Sequence, residues 1–300
     1  MAAARTLLCL GECMVELSDA GDGTYRRGFA GDTFNAAWYA RRALGDGWRV
    51  AYGSCLGEDA ISDEMAGFIA GEGIAADTLR RVSGRTVGLY MISLTHGERA
   101  FSYWRGNSAA RLLAQDADWL AGVLNGAAHV HLSGITCAIL PPAGRDTLRA
   151  ALARARAAGT TVSFDTNLRP ALWEDRATMQ REVMATAAVS DILLPSFDEE
   201  TALFGDATPA DTIARYRAQG ARQVVVKNGG GPVVLWSQGA EPVSLPVAPV
   251  ARVVDTTAAG DSFAGTFLAA TLDGAAPDEA VRSAARCAAE VIQVRGALMR

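Results

Sequence analysis

Lysine is almost absent from this chain: of 28 Lys and Arg residues only Lys227 is a lysine, and it is followed by Asn228. The loop ending in Gly-Lys-Ser or Gly-Lys-Thr that cradles phosphates in P-loop NTPases therefore has no place here. Pyridoxal-phosphate or lysine-aldolase chemistry would have to rest on that one residue. Long apolar runs are also missing, and nothing approaches the ~20 residues of a membrane span. The short run Leu7 to Leu10 has one Arg before it and is broken by Gly11-Glu12. Neither a signal-peptide core nor a cleavage pattern is present, so a cytoplasmic location is expected. There is no basic surplus: 28 basic against 33 acidic residues leave a formal net charge of −5. That is the wrong sign for gripping a phosphate backbone, and neither nucleic acid nor membrane is expected as a partner. The five cysteines (Cys9, Cys13, Cys55, Cys137, Cys287) are odd in number and scattered, which reads as reduced, structural thiols. His129 and His131 share one face of an apolar run, but two histidines without a third ligand make a poor metal site.

What is present is an ordinary folded composition: 300 residues, half of them hydrophobic and 20% charged, enough for a sizeable core without staples. From about residue 110 helical and strand-like stretches alternate. A helix from Gly144 to Ala158 stops at Gly159 and feeds the β-prone run Thr161 to Phe164. Helices over Arg181 to Val189 and Asp211 to Gln219 lead likewise into Ile192 to Leu194 and Gln223 to Val226. Short apolar strands without alternation predict an α/β fold, a mostly parallel sheet covered by helices on both faces. The first third differs. Tyr25 to Phe29, Thr86 to Leu94 and Ala100 to Trp104 are rich in Thr, Val, Tyr and Phe, the last two joined by a hairpin loop over residues 95–99. They predict a small β-sheet lid from segments near 12–30 and 85–106, within one unit spanning 1–300. Its aromatics fit a substrate cover, a dimer contact or plain packing.

The most informative stretch is Asp255-Thr256-Thr257-Ala258-Ala259-Gly260-Asp261-Ser262-Phe263. Small residues lead into a helix that carries Phe263 and Phe267 four apart. Its start offers free backbone N–H groups and the positive end of a dipole, an anion hole with a carboxylate on the rim. Asp261 could simply complement the dipole, or act as the base that takes a proton from an alcohol attacking ATP.

This stretch resembles the carboxy-terminal signature of the ribokinase-like (PfkB) carbohydrate kinases, and Ala30-Gly31-Asp32-Thr33-Phe34-Asn35 resembles their amino-terminal glycine motif. Gly11 to Leu17, Gly97-Glu98-Arg99 with Tyr103-Trp104-Arg105, Asp165 to Trp173, and Val291 to Ala297 resemble, within that family, the kinases of 2-keto-3-deoxygluconate. The resemblance spans nearly the whole chain. It implies a ribokinase-like fold and ATP-dependent phosphorylation of that sugar acid at its C6 hydroxyl, with ATP and Mg²⁺.

The resemblance also implies roles. Asp261 would be the base, and the amides of Ala258, Ala259, Gly260 and Asp261 would hold the transferring phosphoryl group. Arg105 and Arg169 would grip the carboxylate, which suits a planar guanidinium fork. Gly31, Asp32 and Asn35 would line the hydroxyl end, Gly31 allowing close backbone approach, and Tyr90 and Tyr103 would cover the substrate. Ser196, Lys227, Gly229 and Gly231, with Ala258 and Gly260, would border ATP, although glycines there also suit a hairpin turn. Glu199 would reach Mg²⁺ through water, with Asp198 the alternative acid. Asp255 and Thr257 resemble positions near a monovalent-cation site, such as one for K⁺. Ala30 replaces the usual first glycine, adding a methyl near the sugar, and Ser196 replaces the usual Asn. The chain ends at Arg300, sooner after Gly296-Ala297 than the resemblance leads one to expect. Two rivals stay open: a kinase of a neutral sugar such as fructose or ribose, and a non-catalytic sugar-acid sensor. A homo-oligomer formed through the lid is expected.

Overall fold

The computed structural model describes residues 5–95 and 98–299. The first half runs β1 (Arg5–Leu10), β2 (Met14–Gly21), β3 (Thr24–Ala30), α1 (Asp32–Ala43), β4 (Trp48–Leu56), α2 (Ala60–Gly71), β5 (Leu79–Arg81), β6 (Gly88–Thr95), β7 (Glu98–Trp104), α3 (Ala117–Leu124), β8 (Ala127–Ser133), α4 (Gly134–Ala138) and α5 (Pro142–Ala157). The second half adds β9 (Thr161–Asp165), α6 (Arg176–Ala187), β10 (Ile192–Leu193), α7 (Phe197–Phe204), α8 (Pro209–Arg217), β11 (Gln223–Val226), β12 (Val233–Ser237), β13 (Val243–Leu245), α9 (Ala259–Leu272) and α10 (Pro277–Val291).

A nine-stranded sheet has the order β13-β12-β11-β10-β9-β8-β1-β4-β5. It is parallel from β5 through β11 and antiparallel at β12 and β13. Its central strands are apolar because both faces are covered: Val130, Leu132, Val162 and Phe164 lie with the helices of one face, Leu7, Cys9, Val50 and Tyr52 with those of the other. Fully buried side chains such as Phe34, Trp38 and Phe267 each supply about 1.5–3 kcal/mol of burial. The expected alternation of helix and strand is therefore present. The expected small sheet is also there, in the order β3-β2-β6-β7, with a parallel β2–β6 pair at its centre. Of the expected hairpin loop, His96 and Gly97 lie outside the described residues.

Two features place the site. The C-terminal ends of β1, β8, β9, β10 and β11 all open on one edge of the large sheet, where loops of an open α/β sheet receive ligands. Helices α1 and α9 cross close by, and Gly265 permits it: a Cβ there would stand 2.3 Å from the Ala36 carbonyl oxygen. Among the described residues no helix is long and apolar enough to cross a membrane. The five cysteines are free thiols, and His129 and His131 are packed away, both bonded to the Ser163 hydroxyl at 2.8 and 3.0 Å. Burial pushes both imidazoles down to about 3 and keeps them neutral, a packing role.

Candidate active site

A cavity of about 710 Å³ sits between the strand ends, the start of α9 and the small sheet. Its floor is built by the chain just before α9. The Asp255 carboxylate accepts from the Thr257 and Gly296 amides at 3.0 and 2.8 Å, tying the loop to the C-terminal segment. Ala258 then takes a left-handed conformation, φ 61°, at a cost of about 1–2 kcal/mol for a residue with a side chain. This turn aims the first amides of α9 at the cavity. One of the four amides expected to form the anion hole is spent internally: the Ala259 N–H donates to the Thr256 carbonyl at 3.2 Å. Those of Gly260 and Asp261 start the helix with no backbone acceptor among the described residues.

Asp261 stands at this floor, partly open to the cavity and otherwise enclosed. Asn35, reaching over from α1, donates to its Oδ2 at 2.8 Å. Burial pushes the carboxyl up to about 7, helped by the nearby Asp32 and Asp165 carboxylates, while the Asn35 hydrogen bond and Lys227 act the other way. A carboxyl near neutrality is the right strength for a general base at physiological pH. Lys227, the one lysine, also lines the cavity, with Nζ 2.6 Å from the Asp165 carboxylate. A Cβ built on Gly260 would meet nothing nearer than that Nζ, at 3.5 Å, so the space in front of the helix is open to a ligand.

The expected substrate residues converge on this cavity: Gly31, Asp32, Asn35, Tyr90, Tyr103, Arg105, Arg169 and Asp261 all line it. Several are placed for different reasons than the sequence suggested. Gly31 lacks a side chain because the protein needs the space: a Cβ would lie 2.1 Å from the Glu12 carbonyl oxygen. Asp32 is held by the Ser133 hydroxyl and by Asn167 Nδ2, the latter at 2.9 Å. Ala30, expected to add a methyl near the sugar, is instead packed among Met14, Tyr90 and Ala297 and is not part of the cavity wall. Arg169 Nη1 is engaged by Glu199 at 2.5 Å, and Arg105 by Glu12. Tyr90 donates to the Glu16 carboxylate, and its ring lies 6.0 Å from that of Tyr103, the two forming an aromatic wall on the small sheet.

At the expected nucleotide end, Ser196, Lys227, Ala258 and Gly260 line the cavity, whereas Gly229 and Gly231 do not. Both glycines belong to the hairpin turn between β11 and β12, where the Gly231 N–H closes on the Asn228 carbonyl at 2.7 Å and Gly229 takes φ 53°. The turn alone accounts for them. Glu199 reaches the wall but is committed to Arg169 and to the Leu168 amide at 2.9 Å, and Asp198 is exposed outside it. Sequence reasoning passed over Glu12, Phe101, Asp165 and Asn167, all of which line the cavity. For Asp165 a signal existed: an acid at the carboxyl end of a buried parallel strand stands where such sheets bind ligands.

A helix start open to the cavity, a carboxyl raised toward neutrality, one buried arginine and one half-exposed one, and a small sheet beside them suit an α/β phosphotransferase. Comparison with known proteins agrees. The family model described as pfkB family carbohydrate kinase matches residues 4–299. The chain is 37% identical over 301 residues to the 2-dehydro-3-deoxygluconokinase of Dickeya dadantii, covering 98% of this chain and 97% of that protein. A PfkB protein of Polaromonas sp. JS666 superposes with a TM-score of 0.83 at 29% identity, covering 97% of this chain and 96% of its own. The fold is shared with the ATP-bound fructokinase of Xylella fastidiosa, TM-score 0.85 at 24% identity, covering 98% and 94% of the two chains. This chain belongs to the pfkB family of carbohydrate kinases.

Proposed function

We propose that the protein transfers the γ-phosphoryl group of ATP to the C6 hydroxyl of 2-keto-3-deoxygluconate, the sugar acid also called 2-dehydro-3-deoxygluconate. The observation that carries this reading is one cavity holding Asp261 at the start of α9 together with two arginines, Arg105 just after β7 of the small sheet and Arg169 after β9 of the large one. The arginines bind the carboxylate and fix the far end of the sugar, which brings the C6 hydroxyl to Asp261. Asp261 takes the hydroxyl proton as the oxygen attacks the γ-phosphorus and ADP leaves. The Gly260 and Asp261 amides and Lys227 face the charge on the transferring group. Tyr90 and Tyr103 shield the reacting atoms from water.

Magnesium fits this wall as a companion of the triphosphate. Among the described residues no three His, Cys, Asp or Glu side chains gather to hold a metal alone, and Mg²⁺ commonly keeps water and phosphate ligands. Asp165 and Glu199 are the carboxylates on hand for its waters; when bound, it neutralises phosphate charge. A monovalent cation near Asp255 and Thr257, a cytoplasmic setting suited to free thiols, and a homo-oligomer through the lid complete the reading.

The test is ADP release from Mg²⁺ and ATP, with K⁺ or Na⁺ as the added salt. It is run in parallel on 2-keto-3-deoxygluconate, its galactonate epimer, fructose and ribose. Preference for the deoxy keto acids is expected. Turnover of a neutral sugar alone would discard the arginine role, and no turnover with any would leave a sugar-acid sensor.

A further inference from the structure

Beside the residues already given roles, the cavity wall holds another charged side chain that is nearly sealed from water. Glu12, in the loop between β1 and β2, is 2% exposed. Its backbone is clamped, because the Glu12 carbonyl fills the space that a side chain on Gly31 would take. Its carboxylate has room only because Gly88 on β6 lacks a Cβ, which would lie 2.6 Å from Oε1. Its charge is met by Arg105 Nη2 in an ion pair whose side chains are 1% and 8% exposed. That contact satisfies the charges but not the hydrogen bonds. Among the described residues, neither Glu12 oxygen, nor Arg105 Nε or Nη2, has a hydrogen-bond partner.

A buried ion pair of this kind is a poor source of stability, since desolvation offsets much of the attraction. Electrostatically, a carboxylate beside Arg105 should also weaken the binding of an anion. Its location makes sense if orientation is worth more than the lost charge. A guanidinium is a rigid planar fork, useful to a carboxylate only when its edge is correctly turned.

We propose that Glu12 is a positioning residue that sets acid selectivity: it holds the Arg105 guanidinium in the orientation that receives the substrate carboxylate. The proposal rests on the reading that this site binds a sugar acid. Glu12, Gly88 and Arg105 come from three separate segments, so the orientation is fixed by the small sheet and by the loop that enters it from β1.

The test is calorimetric binding to the full chain of 2-keto-3-deoxygluconate and of 3-deoxyfructose, which carries a hydroxymethyl group in place of the carboxylate. Glu12→Gln keeps the shape and removes the charge. It should weaken the acid roughly tenfold or more while leaving 3-deoxyfructose and ATP unchanged. Gly88→Ala, whose Cβ would crowd Oε1 and also press on Met14 and on Arg105 Cβ, should act in the same direction. In an Arg105→Ala background, Glu12→Gln should add nothing for the acid. Unchanged or tighter acid binding in Glu12→Gln would overturn the proposal, since charge alone predicts tightening. Equal weakening of all three ligands would assign Glu12 to the fold instead. A wild-type chain without preference for the acid removes the substrate reading itself, and the Glu12 proposal falls with it.

Discussion

Asp261 carries two consequences of being buried beside like charges. Its carboxyl is raised from an ordinary value of 3.8 to about 7, so the folded chain holds this proton more tightly than the unfolded one. The stabilisation is complete below about pH 3.8 and lost as the pH climbs through 7. Asp261→Asn escapes that loss: its melting temperature should exceed that of wild type at pH 8 and approach it at pH 4. A base must be ionised to work, so kcat/KM of wild type should fall on the acid side with an apparent pKa near 7. In Asp261→Asn, kcat should drop by roughly 10²-fold or more while nucleotide binding survives. A flat acid limb, or an unchanged kcat, removes Asp261 as base. The two arginines should separate as well. Arg105 is buried and Arg169 has a side chain 49% exposed. Arg105→Ala should therefore raise KM for the acid more than Arg169→Ala, with KM for ATP little moved in either.

At the scale of elements, two glycines at helix starts look alike in sequence and differ in space. Gly31 before α1 is required by the protein itself, whereas Gly260 in the first turn of α9 faces open cavity. Gly31→Ala should lower the melting temperature through its collision with the Glu12 carbonyl. Gly260→Ala should leave the nucleotide-free fold intact or gain up to about 1 kcal/mol from helix propensity. Its added methyl projects into the phosphoryl space, so kcat/KM for ATP should fall roughly tenfold or more, and the melting shift with nucleotide should shrink. A Gly260→Ala enzyme with normal kinetics would move the phosphoryl site elsewhere. This contrast also marks what sequence could supply. Helix–strand alternation and the α9 start were legible because they depend on neighbours in the chain. Asp165 with Lys227, 62 residues apart, and Glu12 with Arg105 were not, because pairing across strand ends is decided by sheet order. Gly229 and Gly231 were ambiguous for the opposite reason: a hairpin turn needs glycine as readily as a phosphate loop does.

For the whole molecule, the unresolved energy is on the small sheet. Tyr25, Phe101, Tyr103 and Trp104 are 43%, 42%, 52% and 58% exposed, more aromatic surface than a lone lid should leave in water. Strand pairing sorts them. Phe101 stands across from Ile92 and Tyr103 from Tyr90, on the face that lines the cavity, where substrate and lid closure can cover them. Trp104 stands across from Leu89 and Tyr25 from Asp19, on the opposite face, which no ligand in the cavity can reach. If another surface covers these two, a second copy of the small sheet would offer the same aromatics in return, as a two-fold interface requires. Light scattering of wild type should then give a mass near twice the 31.4 kDa of one chain. Trp104→Arg should shift the population to monomers, and by loosening the lid raise KM for the sugar acid more than KM for ATP. A wild-type monomer would leave Trp104 as surface without a partner. A dimer that survives Trp104→Arg unchanged would locate its interface away from the lid.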